Sequence, residues 1–343
     1  MVDNPWRPSE RRREPARLMS PVVDSGCWRA ADVAGREDWI YRLDEGEIAE
    51  VMDAVTGLEA RGLDIKDVTR EDFPLPRLSV ALADIREELM EGRGFALIRG
   101  LPVEGRGAYQ NAAAFWGVST HIGRAFSQNA DGHLLGHVRD SGSSLKTAHG
   151  RGYRSNEELG FHADGCDITS LFVLKLAKSG GQHRMCSSVA LYNEMLARRP
   201  DLADALAFSF YRTRRGEVPK GVTGQWFRQP VFSVADGYFA ARGASTTIIR
   251  AQDVEGVPKL TDTQREAVGY YQALAAELAV DIDFEPGDME YAQSHVTLHM
   301  RTAYEDWPEP KRRRHLLRLW MSTDGARPLV PEVADEIERG ILL

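Results

Sequence analysis

The seven residues FHADGCD, at positions 161–167, place a histidine and an aspartate two positions apart. On an extended strand, side chains at positions i and i+2 point to the same face, so His162 and Asp164 are expected side by side. An imidazole and a carboxylate in that arrangement can form a hydrogen-bonded surface pair, or can supply two ligands of one metal ion. The spacing alone favours the surface pair, so the choice depends on residues further along the chain.

A second group of candidate ligands follows the turn PGD at 286–288. The segment SHVTLHMR carries His295 and His299, which face the same way if the segment is a strand. His299 fits a third ligand brought in from a distant strand, whereas His295 fits a supporting or core position. Two histidines and one carboxylate leave open coordination positions, an arrangement suited to non-haem Fe(II) enzymes that activate O2.

An arginine that could bind a cosubstrate carboxylate follows the second group of candidate ligands. Arg314 comes fifteen residues after His299 and precedes HLLRLW, the alternating pattern of a strand. Oxygen activation needs an electron source, and a 2-oxo acid can chelate iron through its carboxylate and keto oxygens. If that acid is 2-oxoglutarate, its distal carboxylate needs a cation in a dry pocket, and a guanidinium binds a carboxylate through two parallel hydrogen bonds. Arg314 is the candidate for this contact.

The chain resembles the Fe(II)/2-oxoglutarate-dependent oxygenases of the TauD/TfdA (taurine dioxygenase-like) superfamily over roughly residues 93–320. The resemblance rests on the order of the motifs above and on the segments GRGFALIRGLP, SGGQHRMCSSVALYNEM, PGDMEYAQSHVTLHMRTAYEDW and RRRHLLRLW. It implies a double-stranded β-helix (jelly roll), with His162, Asp164 and His299 as catalytic iron ligands. It also implies Arg314 as the anchor of 2-oxoglutarate, and O2 as the oxidant.

Two positions depart from the family pattern. Relatives often have Ser or Thr after the Gly-Gly turn, where a hydroxyl reaches 2-oxoglutarate, whereas this chain has His183 as the candidate for that contact. Relatives also often have Asn-Asn before the distal histidine strand, and here Gln293 and Ser294 stand there. The carboxylate Asp164 is retained, while halogenating relatives have a small residue in its place. The resemblance therefore favours hydroxylation of a C–H bond or a related oxidation.

The substrate is expected to be a small molecule, such as an amino acid, another organic acid or a natural-product intermediate. Arg318 falls where some relatives bind a substrate carboxylate or sulfonate, and it is also a candidate cofactor contact. Further candidates to face the substrate come from the segments FSQNADG and YRSNEELGFHAD: Gln128, Asn129, Tyr153 and Asn156. Two rival readings remain, a metal hydrolase that activates water on the same triad, and a catalytically silent jelly-roll binding protein. Arg314 argues against the hydrolase and the complete triad against the binding protein.

The amino-acid composition limits the kinds of partner and cellular compartment that are expected for this protein. The 343 residues carry 43 Lys plus Arg against 51 Asp plus Glu, a net charge of −8, which disfavours binding to a nucleic-acid backbone. The sequence has no uninterrupted apolar run of about 18 residues, so it predicts no membrane-spanning helix. The N-terminal segment lacks the pattern of a secretory signal. Three cysteines without a CxxC spacing fit a reducing cytoplasm. A homo-oligomer is left open.

Several elements must position these residues. Apolar spacing predicts helices over 43–62, 78–94, 107–123, 188–207 and 262–279, a buried strand over 95–102, and a hairpin around Asp236-Gly237. Short strand-like segments dominate after about residue 125. We therefore expect a mainly β fold with flanking helices (α+β). It comprises an irregular N-terminal arm (1–35), whose basic cluster RPSERRREPAR is expected to be solvated, one domain (36–325) with a helical lid insert at about 188–280, and a C-terminal tail (326–343).

Overall fold

The computed structural model describes residues 4–129, 131–142, 152–216, 218 and 222–338. These residues form the helices α1 (Ala30–Val33), α2 (Glu45–Arg61), α3 (Leu78–Glu91), α4 (Ala108–Ser119), α5 (Ser188–Arg198), α6 (Pro200–Ala207), α7 (Thr246–Ala251), α8 (Asp262–Leu278) and α9 (Pro331–Glu338). Among these described residues, none of the helices combines the length and the unbroken apolar character that crossing a bilayer requires.

The same residues form short strands, as the alternating patterns indicated. They are β1 (Ile40–Arg42), β2 (Phe95–Arg99), β3 (Arg124–Phe126), β4 (Leu135–Val138), β5 (Leu159–His162), β6 (Ile168–Lys175), β7 (Ser179–Gly180), β8 (His183–Ser187), β9 (Ser209–Thr213), β10 (Trp226–Pro230), β11 (Phe232–Ala235), β12 (Tyr238–Ala241), β13 (Val280–Ile282), β14 (Met289–Gln293), β15 (Thr297–Arg301), β16 (Tyr304–Glu305) and β17 (His315–Ser322). The predicted hairpin is confirmed, because β11 and β12 pair across Asp236 and Gly237, both of which have positive φ.

Two sheets organise the described part of the chain. The larger has the strand order β1-β2-β14-β6-β17-β3, with β4 also paired to β17, and the smaller has the order β13-β8-β15-β5. One apolar cluster joins both sheets, since it contains Phe95 and Leu97 of the larger sheet and Met185 and Val280 of the smaller. The two sheets are therefore packed against each other, and the fold contains both helices and strands.

Strand β17 shows how alternation orients the larger sheet. Leu317, Leu319 and Met321 belong to the core that the sheet shares with α2, α3 and α4. The intervening residues, which include Arg318 and Trp320, face the other side of the sheet. A buried arginine is thus carried on the face that lies away from the helices.

The capping residues explain where α2 begins. Asp44 accepts a hydrogen bond from the backbone N–H of Glu47, and the Glu47 carboxylate accepts one from the backbone N–H of Asp44. This reciprocal arrangement satisfies two of the free donors of the first turn. The helix ends at Arg61 and is capped by Gly62, whose left-handed conformation (φ 64°) suits glycine.

The segment 188–207 is helical, as predicted, and the structure divides it into two helices. Arg199 leaves the helical conformation at φ −144° and ψ 70°, and Pro200 begins α6. Proline has no N–H to donate to the preceding turn and its ring disfavours a helical residue before it, so α5 must end there.

The N-terminal arm is mostly irregular over the described residues 4–35, and most residues of its basic cluster at 7–17 are exposed, as expected, whereas other parts of the arm are buried. Trp6 and Trp28 are buried against the body of the protein. Asp24 forms a buried ion pair with Arg327, at 2.8 Å, and a second one with Arg13, at 3.1 Å. The arm is therefore held by apolar burial and by a charge pair that reaches the C-terminal segment.

Candidate metal centre

Three side chains converge at the edge where β5 pairs with β15. His299 lies directly opposite His162 in the antiparallel register, and their ring centroids are 4.3 Å apart. Asp164 Oδ1 lies 4.0 Å from His162 Nε2. Ligand atoms of the three residues all lie within 4.8 Å of one another. This set of two imidazoles and one carboxylate could hold one metal ion.

The way in which Asp164 reaches this position differs from the expectation. Strand β5 ends at His162, so Asp164 lies in the following turn rather than on the same strand face. Its Oδ2 accepts a hydrogen bond from Thr169 Oγ1 at 2.9 Å and lies 3.5 Å from Arg318 Nη1. The carboxylate is held by residues of β6 and β17, and Oδ1 remains on the side of the histidines.

The orientation of His162 is set by its own strand. Nδ1 lies 2.9 Å from the carbonyl oxygen of Gly160, which can accept a hydrogen bond from it. That contact selects the tautomer in which Nε2 carries the free lone pair. His162 therefore presents Nε2 towards Asp164 and His299.

Electrostatics keep the triad in the protonation state that metal binding requires. Burial lowers the pKa of His162, and burial together with the neighbouring His162 lowers the pKa of His299 well below its ordinary value. Burial alone would raise the pKa of Asp164, but Arg318 and the two histidines hold it below its usual range. Neutral imidazoles and an ionised carboxylate are the ligand forms of these side chains.

His295 does not join the site. Strand β15 begins at Thr297, so His295 lies in the turn after β14 and the expected shared face with His299 is wrong. Its Nε2 lies 2.9 Å from Asp167 Oδ1, and both side chains are buried. His295 thus belongs to a buried polar pair beneath the site.

Arg314 lies just before β17 and is 4% exposed, in contrast to Arg312 and Arg313, which are exposed. Its backbone N–H donates to Asp306 Oδ1 at 2.7 Å, and its guanidinium lies 5.2 Å from the Tyr304 ring. Burial lowers its pKa to about 10. Nη1 has no hydrogen-bond partner within the described residues. A buried cation with an unused N–H donor fits a carboxylate ligand.

His183 lies beside the distal ligand. Its ring is 5.8 Å from that of His299 and 4.8 Å from that of Phe284. Its Nε2 lies 3.0 Å from Glu290 Oε1, without the alignment of a hydrogen bond. His183 is therefore packed between His299 and buried groups of β14 and the preceding segment.

A cavity of about 380 Å³ opens on one side of the triad. His162 and Asp164 line it, together with three of the residues expected to face a substrate: Gln128, Tyr153 and Arg318. Arg318 donates from Nε to Gln128 Oε1 at 2.8 Å, and its guanidinium lies 4.8 Å from the Tyr153 ring. These three side chains form one connected wall.

Two other candidates do not line this cavity. Asn129 is buried in a turn, where its Oδ1 accepts from the backbone N–H groups of Asp131 and His133. Asn156 is exposed, and its carbonyl oxygen accepts from the backbone N–H of Tyr304. The side chain of Asn129 thus supports its own turn, and neither Asn129 nor Asn156 is among the residues that line the cavity.

The cavity has an arginine-rich wall that belongs to none of the sequence motifs. Arg212 of β9 and Arg242, just after β12, are both buried and both line it. Arg214, also on the wall, forms an ion pair with Glu336 of α9. A sequence signal existed for Arg212, since it follows the buried Phe210 at strand spacing and so occupies an inward position.

Comparisons with known proteins agree with this arrangement. The model of the family described as taurine catabolism dioxygenase TauD, TfdA family, matches residues 59–320. The chain is 33% identical over 319 residues to FR-33289 synthase of Streptomyces rubellomurinus, covering 90% of this chain and 93% of that protein. It is 28% identical over 343 residues to the taurine hydroxylase-like protein SAT17 of Stachybotrys chartarum, covering 96% and 87%.

Solved structures show the same fold at lower identity. Asparagine oxygenase in complex with Fe(II), hydroxyasparagine and succinate superposes with a TM-score of 0.64 at 19% identity, covering 89% of this chain and 99% of that one. The non-haem iron oxygenase OrfP in complex with Fe and α-ketoglutaric acid gives a TM-score of 0.62 at 17% identity, covering 83% and 94%. With the family model matching most of its length, the chain belongs to the TauD/TfdA family of dioxygenases.

Proposed function

We propose that this protein is a non-haem Fe(II)/2-oxoglutarate-dependent dioxygenase that hydroxylates a C–H bond of a small organic substrate. The observation that carries the proposal is the convergence of His162, Asp164 and His299 within 4.8 Å. The donor set fits Fe(II), because imidazole nitrogen and carboxylate oxygen suit this ion and the triad leaves coordination positions open. The buried, unpaired Nη1 of Arg314 fits the distal carboxylate of 2-oxoglutarate.

When bound, the metal and 2-oxoglutarate supply the oxidising chemistry, in which O2 is consumed, succinate and CO2 are released, and the substrate gains a hydroxyl group. The residues of the chain position these components. The Gly160 carbonyl fixes the ring of His162, Thr169 fixes Asp164, and the packing of His183 fixes His299. In this proposal His183 acts through His299, and Arg314 holds 2-oxoglutarate.

Substrate binding is assigned to the cavity beside His162 and Asp164. Gln128, Tyr153 and Arg318 line it, so we retain them as substrate contacts. Asn129 and Asn156 are left out because their side chains do not reach the cavity. A metal hydrolase has no use for a buried cation such as Arg314, so no observation favours that alternative.

The proposed architecture is a double-stranded β-helix (jelly roll) formed by the two packed sheets. It belongs to one domain over 36–325, with the arm 1–35 before it and the segment 326–343 after it. Residues 339–343 lie outside the described part. The insert at about 188–280 borders the cavity through β9, β10 and α7, which agrees with a role as its cover. All three cysteines are free thiols, in keeping with a working place in the reducing cytoplasm.

An anaerobic titration tests the proposed function. Protein loaded with Fe(II) under argon is titrated with 2-oxoglutarate, and the weak visible charge-transfer band of the chelate is followed. We expect a saturable band at about one 2-oxoglutarate per chain, and succinate formation on admission of O2 with a suitable substrate. A protein that binds Fe(II) but never gives the band would overturn the assignment.

A further inference from the structure

Two buried cations lie on the cavity wall without carboxylate partners. Arg212 is 5% exposed and Arg242 is 7% exposed. Arg212 donates to the carbonyl oxygens of Gly243, at 3.0 Å, and Arg242, at 2.8 Å, so its bonds go to neutral groups. Among the described residues, no Asp or Glu lies within 4.0 Å of either guanidinium. Two positive charges are therefore buried close together without a carboxylate in direct contact, and Asp164 and Asp167 act on Arg242 only from a greater distance.

Each guanidinium also has an unused donor. Arg212 Nε and Arg242 Nη1 are buried and have no hydrogen-bond partner within the described residues. Burial and the positive charge of Arg242 lower the pKa of Arg212 to about 9, and burial lowers the pKa of Arg242. Burying a charge without a partner is costly, so such a pair indicates that an anion occupies the site when the protein works.

Two neighbouring arginines of the cavity wall, Arg214 and Arg318, have carboxylates in contact, unlike Arg212 and Arg242. Arg214 is paired with Glu336 through two hydrogen bonds, at 2.6 and 2.8 Å. Arg318 faces Asp164, one of the proposed metal ligands. Glu336 and Asp164 thus make their direct contacts with Arg214 and Arg318, and neither forms an ion pair with Arg212 or Arg242.

The two arginines are held at a fixed place relative to the metal centre. A Cβ on Gly243 would lie 3.1 Å from His162 Cα and 3.2 Å from Ala163 N, so the chain after Arg242 packs directly on the metal-binding segment. Gln272 of α8 donates to the carbonyl oxygens of Phe161 and Ala244, which ties the same two segments together. A group bound by the arginines would thus be positioned against the triad.

We propose that the substrate carries a dianionic tetrahedral head group, a phosphate monoester or a phosphonate, which is bound by Arg212 and Arg242. This inference rests on the function proposed above and adds the substrate class. Two guanidiniums match two negative charges, and their planar N–H donors suit phosphate-type oxygens. The remainder of the molecule lies against the apolar part of the wall, which includes Phe227, Ile249 and Val268.

Calorimetric titration of the Fe(II) and 2-oxoglutarate-loaded protein under argon tests this inference. The probes are ethyl phosphate and ethylphosphonate as dianions, with ethanesulfonate and propionate as monoanions of similar size. We expect the dianions to bind at least about 10-fold more tightly than the monoanions, since each close charge pair contributes several-fold or more to affinity. Binding of ethyl phosphate should strengthen between pH 5 and 7, as its second proton is lost, while binding of ethanesulfonate should not follow that trend.

Matched variants locate the site. R212Q and R242Q should each weaken dianion binding by about 10-fold or more. R228Q should leave it unchanged, because Arg228 is an exposed residue on the adjacent strand β10. If a glutamine variant does not fold, R212K or R242K replaces it, and the selectivity of the wild-type protein remains a test without any variant.

The outcomes separate this inference from the proposed function. Equal binding of propionate and ethylphosphonate, or full binding by both arginine variants, would overturn the dianion site even if the 2-oxoglutarate band is present. Dianion binding that depends on Arg212 and Arg242 in a protein without the band would instead overturn the oxygenase assignment and leave the anion site standing.

Discussion

Arg318 lies directly against Asp164 at the edge of the candidate metal centre, with Arg318 Nη1 3.5 Å from Asp164 Oδ2. Thr169 Oγ1 donates to the same oxygen at 2.9 Å. The contacts leave Oδ1 directed towards His162. Strand β17, which carries Arg318, and strand β6, which carries Thr169, belong to the larger sheet, whereas both histidines belong to the smaller one. The metal centre is therefore assembled from both sheets.

Replacement of any triad member should abolish stoichiometric metal binding. His162→Ala, Asp164→Ala and His299→Ala each remove one of three ligand atoms, so we expect Fe(II) affinity to fall by about 100-fold or more. Equilibrium dialysis under argon measures this, with His133→Ala, an exposed histidine, as the control. Stoichiometric binding by the triple variant would show that the metal lies elsewhere.

Thr169→Val should weaken the metal site without removing a ligand. The substitution keeps the shape of the side chain but deletes the hydroxyl that holds Asp164 Oδ2. Loss of such a supporting bond typically reduces metal affinity by about 10- to 100-fold. The same dialysis measures it, and thermal unfolding of the metal-free variant checks that the fold is retained. An unchanged Fe(II) affinity would mean that Arg318 alone orients the carboxylate.

Arg314→Ala should raise the 2-oxoglutarate requirement by about 10²- to 10³-fold and leave Fe(II) binding nearly intact. The distal carboxylate would lose its buried cation, and removal of one partner of such a pair costs on the order of 3–5 kcal/mol. Arg314→Lys should recover only part of the loss, because an ammonium cannot form two parallel hydrogen bonds.

The neighbouring Arg313 provides the control for this experiment, since it is exposed and donates to the carbonyl oxygens of Trp307 and Pro308. Anaerobic titration of 2-oxoglutarate, followed by the charge-transfer band, gives the affinity. If Arg313→Ala loses affinity while Arg314→Ala titrates like the wild type, Arg314 is the wrong arginine.

The pair His137 and His315 should make the protein less stable in mild acid. Their ring nitrogens Nδ1 and Nε2 lie 2.8 Å apart, and burial together with His137 lowers the pKa of His315 to about 4. An unfolded histidine titrates near about 6.5, so the unfolded chain binds more protons between these values. Stability from this pair is therefore complete above pH 6.5 and is lost as the pH falls towards 4.

Urea unfolding at pH 7.5 and pH 5 measures this effect. His137→Gln removes the neighbouring charge, so the variant should lose less stability between the two pH values than the wild type. The remaining histidines contribute equally to both proteins, so the difference between the two proteins isolates this pair. An identical loss in both proteins would contradict the role of His137.

Arg327→Met should destabilise the protein strongly. It removes a buried partner of Asp24, which would keep only Arg13, and this typically costs on the order of 3–5 kcal/mol of unfolding free energy. Arg36→Met, which breaks the exposed pair with Asp38, is the control and should have no measurable effect. Equal urea midpoints for both variants would show that the N-terminal arm contributes little to stability.

The residues that carry chemistry could be predicted from the sequence because their types and order are constrained. His162, Asp164, His299 and Arg314 stand out as motifs without knowledge of the fold. The hairpin at Asp236-Gly237 could also be predicted, because Asp and Gly are among the few residue types that tolerate the positive φ such a turn requires. Pro200 indicates that the helical segment 188–207 is interrupted, but the apolar residues keep a helical spacing on both sides of it, so the spacing alone does not show the interruption.

Other features depend on tertiary contacts that no local pattern records. The strand spacing of Arg212 indicates only an inward position, Arg242 resembles a solvated charge in the sequence, and the packing of Gly243 on His162 is what brings this region to the cavity. Asn129 and Asn156 lie close to the motifs in sequence, but neither residue lines the cavity in the folded protein. The burial of Trp6 could not be inferred from an arm that is rich in arginine.

The wall of the cavity has an evolutionary consequence. The metal triad and Arg314 belong to the two sheets and their immediate ends, whereas Arg212, Phe227 and Ile337 of the wall belong to β9, β10 and α9, outside both sheets. Mutations in these peripheral elements can change which substrate binds while the metal triad and Arg314 stay unchanged. A lineage with this layout can acquire new substrates through a few replacements at its margin, without passing through inactive ancestors.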